Sequence, residues 1–191
     1  MKPADKLPEF HRIVTGHDAD GAAYVAAAAP PPRVYRADDH GTLFHEVWHS
    51  RNSPALIDRL TLEPSEDRLT LPPPRAGTRV RVVDIPPETE AMRNRTAEQM
   101  KAEFEQLGAA HASTAHGNAR HPLMHRTETL DYGICVQGEV WMIMDKDEVL
   151  VRQGDIVIQR GTNHAWANRS DHPCRMVFVL VDGQFDAELR K

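Results

Sequence analysis

The carboxyl-terminal third of the chain alternates short strand-like runs with tight turns and leaves no room for a helix between them. From His121 onward, β-branched and apolar runs are separated by Gly, Asp and Asn turns at a spacing of roughly ten residues. The predicted strands are Asp131–Val136, Val140–Met144, Glu148–Val151, Ile156–Ile158, His164–Asn168 and Cys174–Val181. Successive short strands without intervening helices indicate an antiparallel sandwich or jelly roll.

The amino-terminal part contains further strand-like runs bounded by Pro and Gly: Arg12–Thr15, Tyr24–Ala28, Arg33–Arg36, Thr42–Trp48 and Arg79–Ile85. In the last of these, arginine and valine alternate, which predicts a strand with one face in water. We therefore expect a single structural domain. Residues 1–90 would extend the barrel sheets, residues 91–119 would hold a helix and a flexible connection, and residues 120–182 would form the core.

One helix is predicted, over Ala97–Leu107. Thr96 and Gln99 match a capping box, and the apolar residues Met100, Phe104 and Leu107 recur on one helical face. We expect this helix to pack on a sheet. The alternative is a lid that closes the mouth of a barrel.

Composition excludes some classes of partner. The formal net charge is −5 and the arginines are scattered, whereas a phosphate-backbone binder needs a basic face, so we expect no nucleic acid. No apolar run approaches the ~20 residues that span a bilayer, and no signal peptide is visible, so we expect no membrane and a cytoplasmic location. Cys135 and Cys174 lie in apolar runs and are expected to be small buried hydrophobes.

Two segments resemble the motif pair of the cupin superfamily. The second family motif, G-x5-P-x-G-x2-H-x3-N, resembles GDIVIQRGTNHAWAN at residues 154–168, with Gln159 in place of the proline and a first spacing one residue shorter. The first, G-x5-H-x-H-x3–4-E-x6-G, resembles HRTETLD at residues 125–131, with Thr127 in place of the second histidine and Asp131 in place of the glutamate. The segment is also similar to a cupin-2 subgroup that shares H-R-T-x-T-x-D-Y.

The resemblance implies an all-β cupin jelly-roll barrel, also called a double-stranded β-helix, that pairs as a homodimer. It also implies a divalent transition metal held by His125, Asp131 and His164. Two imidazoles and one carboxylate suit Fe, Zn, Mn or Ni, and an incomplete shell leaves a position for catalysis. Thr127 is a poor ligand and Asp131 is one methylene shorter than glutamate, so a metal-free pocket is the alternative.

Other residues near the motifs are candidates for substrate binding. Arg126 is a candidate catalytic residue that could clamp a substrate carboxylate, and Arg160 could do the same. The remaining predicted pocket residues are Thr127, Tyr132 and Trp166, the last because it shares strand parity with His164. All of these residues lie in or beside the two motifs.

The resemblance leaves the reaction open, because one fold hosts many activities. The first hypothesis is a metal-dependent oxygenase, decarboxylase or lyase that acts on a small organic acid or carbonyl compound. The second is a metal-free isomerase or dehydratase in which His125 or His164, paired with Asp131, is the general base. The third is a module that binds a small molecule without turnover.

Overall fold

The computed structural model describes residues 7–36, 41–59, 69–109 and 111–190. Its helices are α1 (Glu90–Arg93) and α2 (Ala97–Gln106). Its strands are β1 (Arg12–His17), β2 (Ala23–Ala29), β3 (Arg33–Arg36), β4 (Leu43–Ser50), β5 (Thr78–Ile85), β6 (Thr129–Gln137), β7 (Glu139–Met144), β8 (Glu148–Arg152), β9 (Ile156–Arg160), β10 (His164–Ala167) and β11 (Cys174–Asp182). Every predicted strand is present.

Two antiparallel sheets enclose the core. The larger has the order β3-β4-β5-β11-β6-β9, and the smaller has the order β10-β7-β8. His125 extends the smaller sheet, because its backbone exchanges N–H···O bonds of 2.8 and 3.0 Å with His164. The predicted all-β jelly roll is confirmed. Of the amino-terminal strands, β3 to β5 extend the larger sheet as expected, whereas β1 and β2 pair with each other as a separate hairpin.

Alternate residues of the strands fill the space between the sheets, as strand geometry requires. The main buried cluster combines both sheets: Val83, Ile85, Cys135, Val140, Met142, Val151, Cys174 and Met176. The two cysteines are buried and free, and their Sγ atoms are 3.8 Å apart. They behave as the small core residues that the sequence predicted.

The arginines of β5 correct the prediction of a water-facing strand. Arg79 and Arg81 are only 1% and 2% exposed. Both bind the carboxylate of Glu46 on β4, and Arg81 also donates to the carbonyl oxygen of Thr70 at 2.6 Å. Residues on both faces of β5 are buried, and the arginines share the Glu46 carboxylate as their counter-ion.

Helix α2 begins where the capping box predicted. The backbone N–H of Gln99 donates to Thr96 Oγ1 at 3.3 Å, and the N–H of Thr96 donates to Gln99 Oε1 at 2.9 Å. Met100 and Phe104 are buried. Within the described ranges, no helix combines the length and apolar character needed to traverse a lipid bilayer.

Candidate functional site

A cavity of about 160 Å³ lies inside the barrel. Most of its wall is apolar or aromatic, including Phe44, Ile85, Leu123, Trp166, Phe178 and Leu180. The polar side chains in the wall include His125, Thr127, Asp131 and His164. Since a cavity of roughly 150 Å³ admits benzene, this one is suited to a molecule of about one ring.

The helical segment forms part of the wall of this cavity. Phe104 and Leu107 at the end of α2 line the wall, as does Met92 of α1. The ring of Phe104 lies 5.1 Å from the ring of His125. The expectation that α2 only packs on a sheet was therefore wrong. Its apolar face covers the site, as in the lid alternative.

His125 and His164 form a close pair in the cavity wall. Their ring centroids are 4.3 Å apart and the ring planes make an angle of 47°. The proximity follows from the backbone bridge between the two residues, which places both side chains on the inner face of the smaller sheet. The two motifs therefore converge in space, as the sequence predicted.

Burial keeps both imidazoles neutral. Loss of solvation lowers the pKa of His125, and a hydrogen bond with the Leu123 carbonyl offsets this only in part. Loss of solvation, together with the neighbouring His125, lowers the pKa of His164 to about 3. A neutral imidazole has one nitrogen that donates and one that accepts a proton. Near pH 7 each ring therefore has one N–H donor and one nitrogen lone pair, and burial makes that nitrogen a weaker base than in free imidazole.

The tautomer of His125 follows from its neighbour. Its Nδ1 lies 2.9 Å from the carbonyl oxygen of Leu123. A carbonyl oxygen can only accept, so Nδ1 carries the hydrogen and Nε2 is the basic atom of the ring. His125 is thus arranged as a proton acceptor towards the cavity.

Asp131 contributes a buried carboxyl group to the same wall. It is 7% exposed, and its Oδ1 has no hydrogen-bond partner among the described residues. Burial raises its pKa to about 6, although a hydrogen bond from Thr129 and the charge of Arg81 act in the opposite direction. An unpaired buried oxygen is costly, and a bound molecule with a donor group would relieve that cost.

The three predicted metal ligands do not lie together in one site. Among the described residues, which include His125, Asp131 and His164, no group of three or more His, Cys, Asp or Glu side chains is placed to hold an ion. The two imidazoles meet, but the orphaned oxygen of Asp131 does not join them. The residues therefore do not fit the predicted three-ligand metal set, and metal binding stays a prediction.

Two of the predicted pocket residues, Thr127 and Trp166, line the cavity. Arg126 does not. It donates to the carbonyl oxygens of Gly161 (3.2 Å) and Leu189 (2.6 Å), and its guanidinium lies 3.9 Å from the centre of the Phe185 ring. The predicted carboxylate clamp is therefore corrected: this side chain ties the carboxyl-terminal segment to the barrel.

Tyr132 and Arg160 lie outside the cavity, contrary to prediction. Tyr132 follows Asp131 on β6, so its side chain points to the opposite face, where it is 39% exposed. Arg160 follows the buried Gln159 on β9 and is exposed for the same reason. Strand parity, applied from Asp131, is the signal that would have excluded Tyr132.

Two contributors to the site were missed in the sequence. Gln159, identified only as a departure from the family proline, is 3% exposed and lies 2.9 Å from His164. Glu88 lines the cavity, and its Oε1 lies 2.5 Å from Nε2 of the buried His121. No spacing connects Glu88 to either motif, so only the fold could reveal its place.

Comparison with known proteins agrees with this architecture. The family model for a cupin domain, Cupin_2, matches residues 112–180. That segment contains both motifs and both histidines of the pair.

Related fungal proteins align with the chain over different lengths. The phomopsin biosynthesis cluster protein C' of Diaporthe leptostromiformis is 29% identical over 192 residues, covering 96% of this chain and 84% of that protein. The cupin-domain-containing oxidoreductase srdB of Neurospora crassa is 28% identical, covering 94% and 77%. The cupin-domain-containing oxidoreductase virC of Hypocrea virens is 44% identical over 63 residues, which cover 31% of this chain and 32% of that protein. The jelly roll, the two motifs and the matched family model together identify residues 112–180 as a cupin domain.

Proposed function

We propose that this cupin is an enzyme that moves a proton within a small, largely apolar carbonyl compound, as an isomerase does. The observation that carries the proposal is the pair of neutral imidazoles, 4.3 Å apart, in the wall of a largely apolar cavity. Neutral imidazoles exchange protons without a cofactor. The size of the cavity sets the scale of the substrate at about one ring.

A ring ketone with a β,γ double bond illustrates the step. Nε2 of His125 takes a proton from the α-carbon, the C–H electron pair enters the conjugated system, and negative charge develops on the carbonyl oxygen. The proton then returns to the γ-carbon and the double bond moves into conjugation. Atoms and electrons balance without an oxidant, a reductant or a metal. The apolar wall, to which α2 contributes, limits contact with water, and this strengthens polar interactions with the developing charge.

The relatives support a cupin enzyme in the broad sense. Two are named oxidoreductases, and one is named as a product of a biosynthesis cluster. These names support catalysis on a small molecule more than a binding module without turnover.

A second candidate, a metal-dependent oxidoreductase, is favoured by those names. It would use a divalent transition metal such as Fe, Zn, Mn or Ni, with nitrogen donors from His125 and His164. It is less favoured because, among the described residues, no third potential ligand lies with the two histidines to complete a metal site. We therefore place it second.

The test uses β,γ-cyclohexenone as a probe, because its conversion to the conjugated isomer is followed by ultraviolet absorbance. The protein is assayed after exhaustive chelation and again after loading with each metal, and its metal content is measured in both states. We expect the same turnover in both states. Turnover that appears only with about one equivalent of metal would favour the second candidate instead.

Variants assign the activity to the pair. His125→Ala should lower turnover by about 100-fold, the usual contribution of a positioned general base. His17→Ala, an exposed histidine on β1, is the matched control and should leave turnover unchanged. Equal rates in wild type and His125→Ala would contradict the proposal.

A further inference from the structure

We propose that Gln159 is a positioning residue that holds His164 in the tautomer with its hydrogen on Nε2, so that the histidine pair consists of one proton acceptor and one proton donor. The catalytic consequence rests on the proposed function. The tautomer itself does not, and it is measured without turnover.

The amide of Gln159 is buried and fully engaged. Its Nε2 lies 2.7 Å from the carbonyl oxygen of Thr162 and 2.9 Å from Nδ1 of His164. Its Oε1 accepts from the backbone N–H of Gly161 at 3.3 Å. These neighbours fix which end of the amide points where. If the amide were turned over, its oxygen would face the Thr162 carbonyl and its NH₂ would face the Gly161 N–H.

The two hydrogens of the Gln159 NH₂ group then have two acceptors within reach. One is the carbonyl oxygen of Thr162, and the other is Nδ1 of His164, provided that Nδ1 carries no hydrogen. A hydrogen on Nδ1 could also point to the Thr162 carbonyl, which lies 3.0 Å away. That arrangement would place two N–H donors 2.9 Å apart and leave one Gln159 hydrogen unpaired at a buried site, which is costly. Nδ1 therefore accepts from Gln159, and the hydrogen of His164 is on Nε2.

The partner histidine has the opposite arrangement. The Leu123 carbonyl holds the hydrogen of His125 on Nδ1 and leaves its Nε2 basic. A backbone carbonyl lies beside Nδ1 of each ring, and the two rings, 4.3 Å apart, are thus distinguished by the amide NH₂ of Gln159, which faces Nδ1 of His164 alone. Such outer contacts commonly decide imidazole tautomers.

This order gives each ring one task in the proposed reaction. Nε2 of His125 takes the α-proton of the substrate and returns it to the γ-carbon. The N–H of His164 donates a hydrogen bond to the carbonyl oxygen while it carries negative charge. A hydrogen on Nε2 of His164 also leaves that atom without a lone pair for a metal. This agrees with the finding that no three potential ligands lie together among the described residues.

The tautomers can be read from long-range hydrogen–nitrogen correlation spectra of protein labelled with ¹⁵N-histidine, in the wild type and in Gln159→Glu, Gln159→Met and Gln153→Met. In the wild type we expect the hydrogen on Nε2 of His164 and on Nδ1 of His125. Gln159→Glu supplies an acceptor and should move the hydrogen of His164 to Nδ1. Gln153→Met, on an exposed turn, is the matched control and should change nothing. A wild-type spectrum with the hydrogen on Nδ1 of His164 would overturn the proposal even if no Gln159 variant folds.

A turnover arm separates this inference from the proposed function. With β,γ-cyclohexenone, Gln159→Glu should lower kcat by about 100-fold and change KM little, because the loss is confined to the charged transition state. If the tautomer changes as expected and kcat does not fall, Gln159 orders the pair but proton transfer is not its purpose. If the tautomer does not respond to Gln159→Glu, the positioning role is refuted whatever the activity.

Discussion

At the scale of single residues, burial changes the ordinary chemistry of the site. His125 and His164 are neutral because loss of solvation in the cavity wall disfavours the charged imidazolium form. The motifs predicted that these two residues converge. The motifs did not predict the partners that decide which nitrogen carries the hydrogen. Only the folded backbone places the Leu123 carbonyl beside His125 and the Gln159 amide beside His164.

The neutral state of the pair is a testable prediction. As the pH falls from about 8 to about 5.5, free imidazole gains a proton near pH 6.5, whereas both rings in the cavity wall should remain neutral because their pKa values are lowered. Histidine ring signals assigned by NMR provide the measurement, and the same signals in urea-unfolded protein provide the reference. Titration of both rings near pH 6.5 in the folded protein would contradict burial in an apolar cavity.

Asp131 predicts a pH dependence of stability. Its pKa is about 6 in the folded protein against 3.8 without burial, so the unfolded chain loses this proton first as the pH rises. Stability should therefore fall between about pH 4 and about pH 6 and stay low above that range. Asp131→Asn removes the penalty and should raise the free energy of unfolding at about pH 8 by about 1–3 kcal/mol, with little effect at about pH 4.

Urea unfolding at both pH values measures this effect. Asp20→Asn, at an exposed turn, is the control and should not change the pH dependence. A gain for Asp131→Asn that is equal at both pH values would show that ionisation of Asp131 is not its cause.

At the scale of elements, the sequence predicted the strands and α2, missed the short helix α1, and was less successful with the surroundings of each element. The period-two pattern of β5 was correct, but its arginine face is buried against Glu46 rather than in water. The capping box placed α2 correctly, but the lid position depends on the loop that returns the chain to the barrel. Local pattern determines an element; the neighbours that cover it come from the tertiary structure.

The lid helix depends on its cap. Thr96→Ala removes the hydroxyl that accepts from the Gln99 N–H and should lower the free energy of unfolding by about 1 kcal/mol. Amide exchange across Ala97–Gln106 should quicken. Thr96→Ser keeps the hydroxyl and is the control. Unchanged exchange in Thr96→Ala would show that the contacts of Met100 and Phe104 alone hold the helix in place.

At the scale of the whole molecule, a buried ion cluster joins β4 and β5 beside the cavity. Glu46 bridges Arg79 and Arg81 and balances one of their two positive charges, and all three side chains are largely shielded from water. Removing one member of such a cluster leaves buried charge that its partner no longer balances. Glu46→Gln should therefore lower the free energy of unfolding by about 3–5 kcal/mol, measured in urea.

A surface pair provides the comparison. Glu148 bridges Arg120 and Arg169 on exposed parts of the chain. Glu148→Gln should change stability little, because water screens such pairs. Equal losses for Glu46→Gln and Glu148→Gln would mean that the cluster beside the cavity is not buried in solution.

The expected homodimer stays a prediction.

The central claim is that the basic nitrogen of His125 transfers a proton in the cavity, and chemical rescue tests it most directly. His125→Ala leaves space for a free imidazole, so its turnover of β,γ-cyclohexenone should be about 100-fold below wild type and should rise in proportion to added imidazole. Pyrrole, of the same size but without a basic nitrogen, should not restore it. If His125→Ala keeps the wild-type rate, or if pyrrole restores turnover as well as imidazole does, the basic nitrogen is not needed and the claim is wrong.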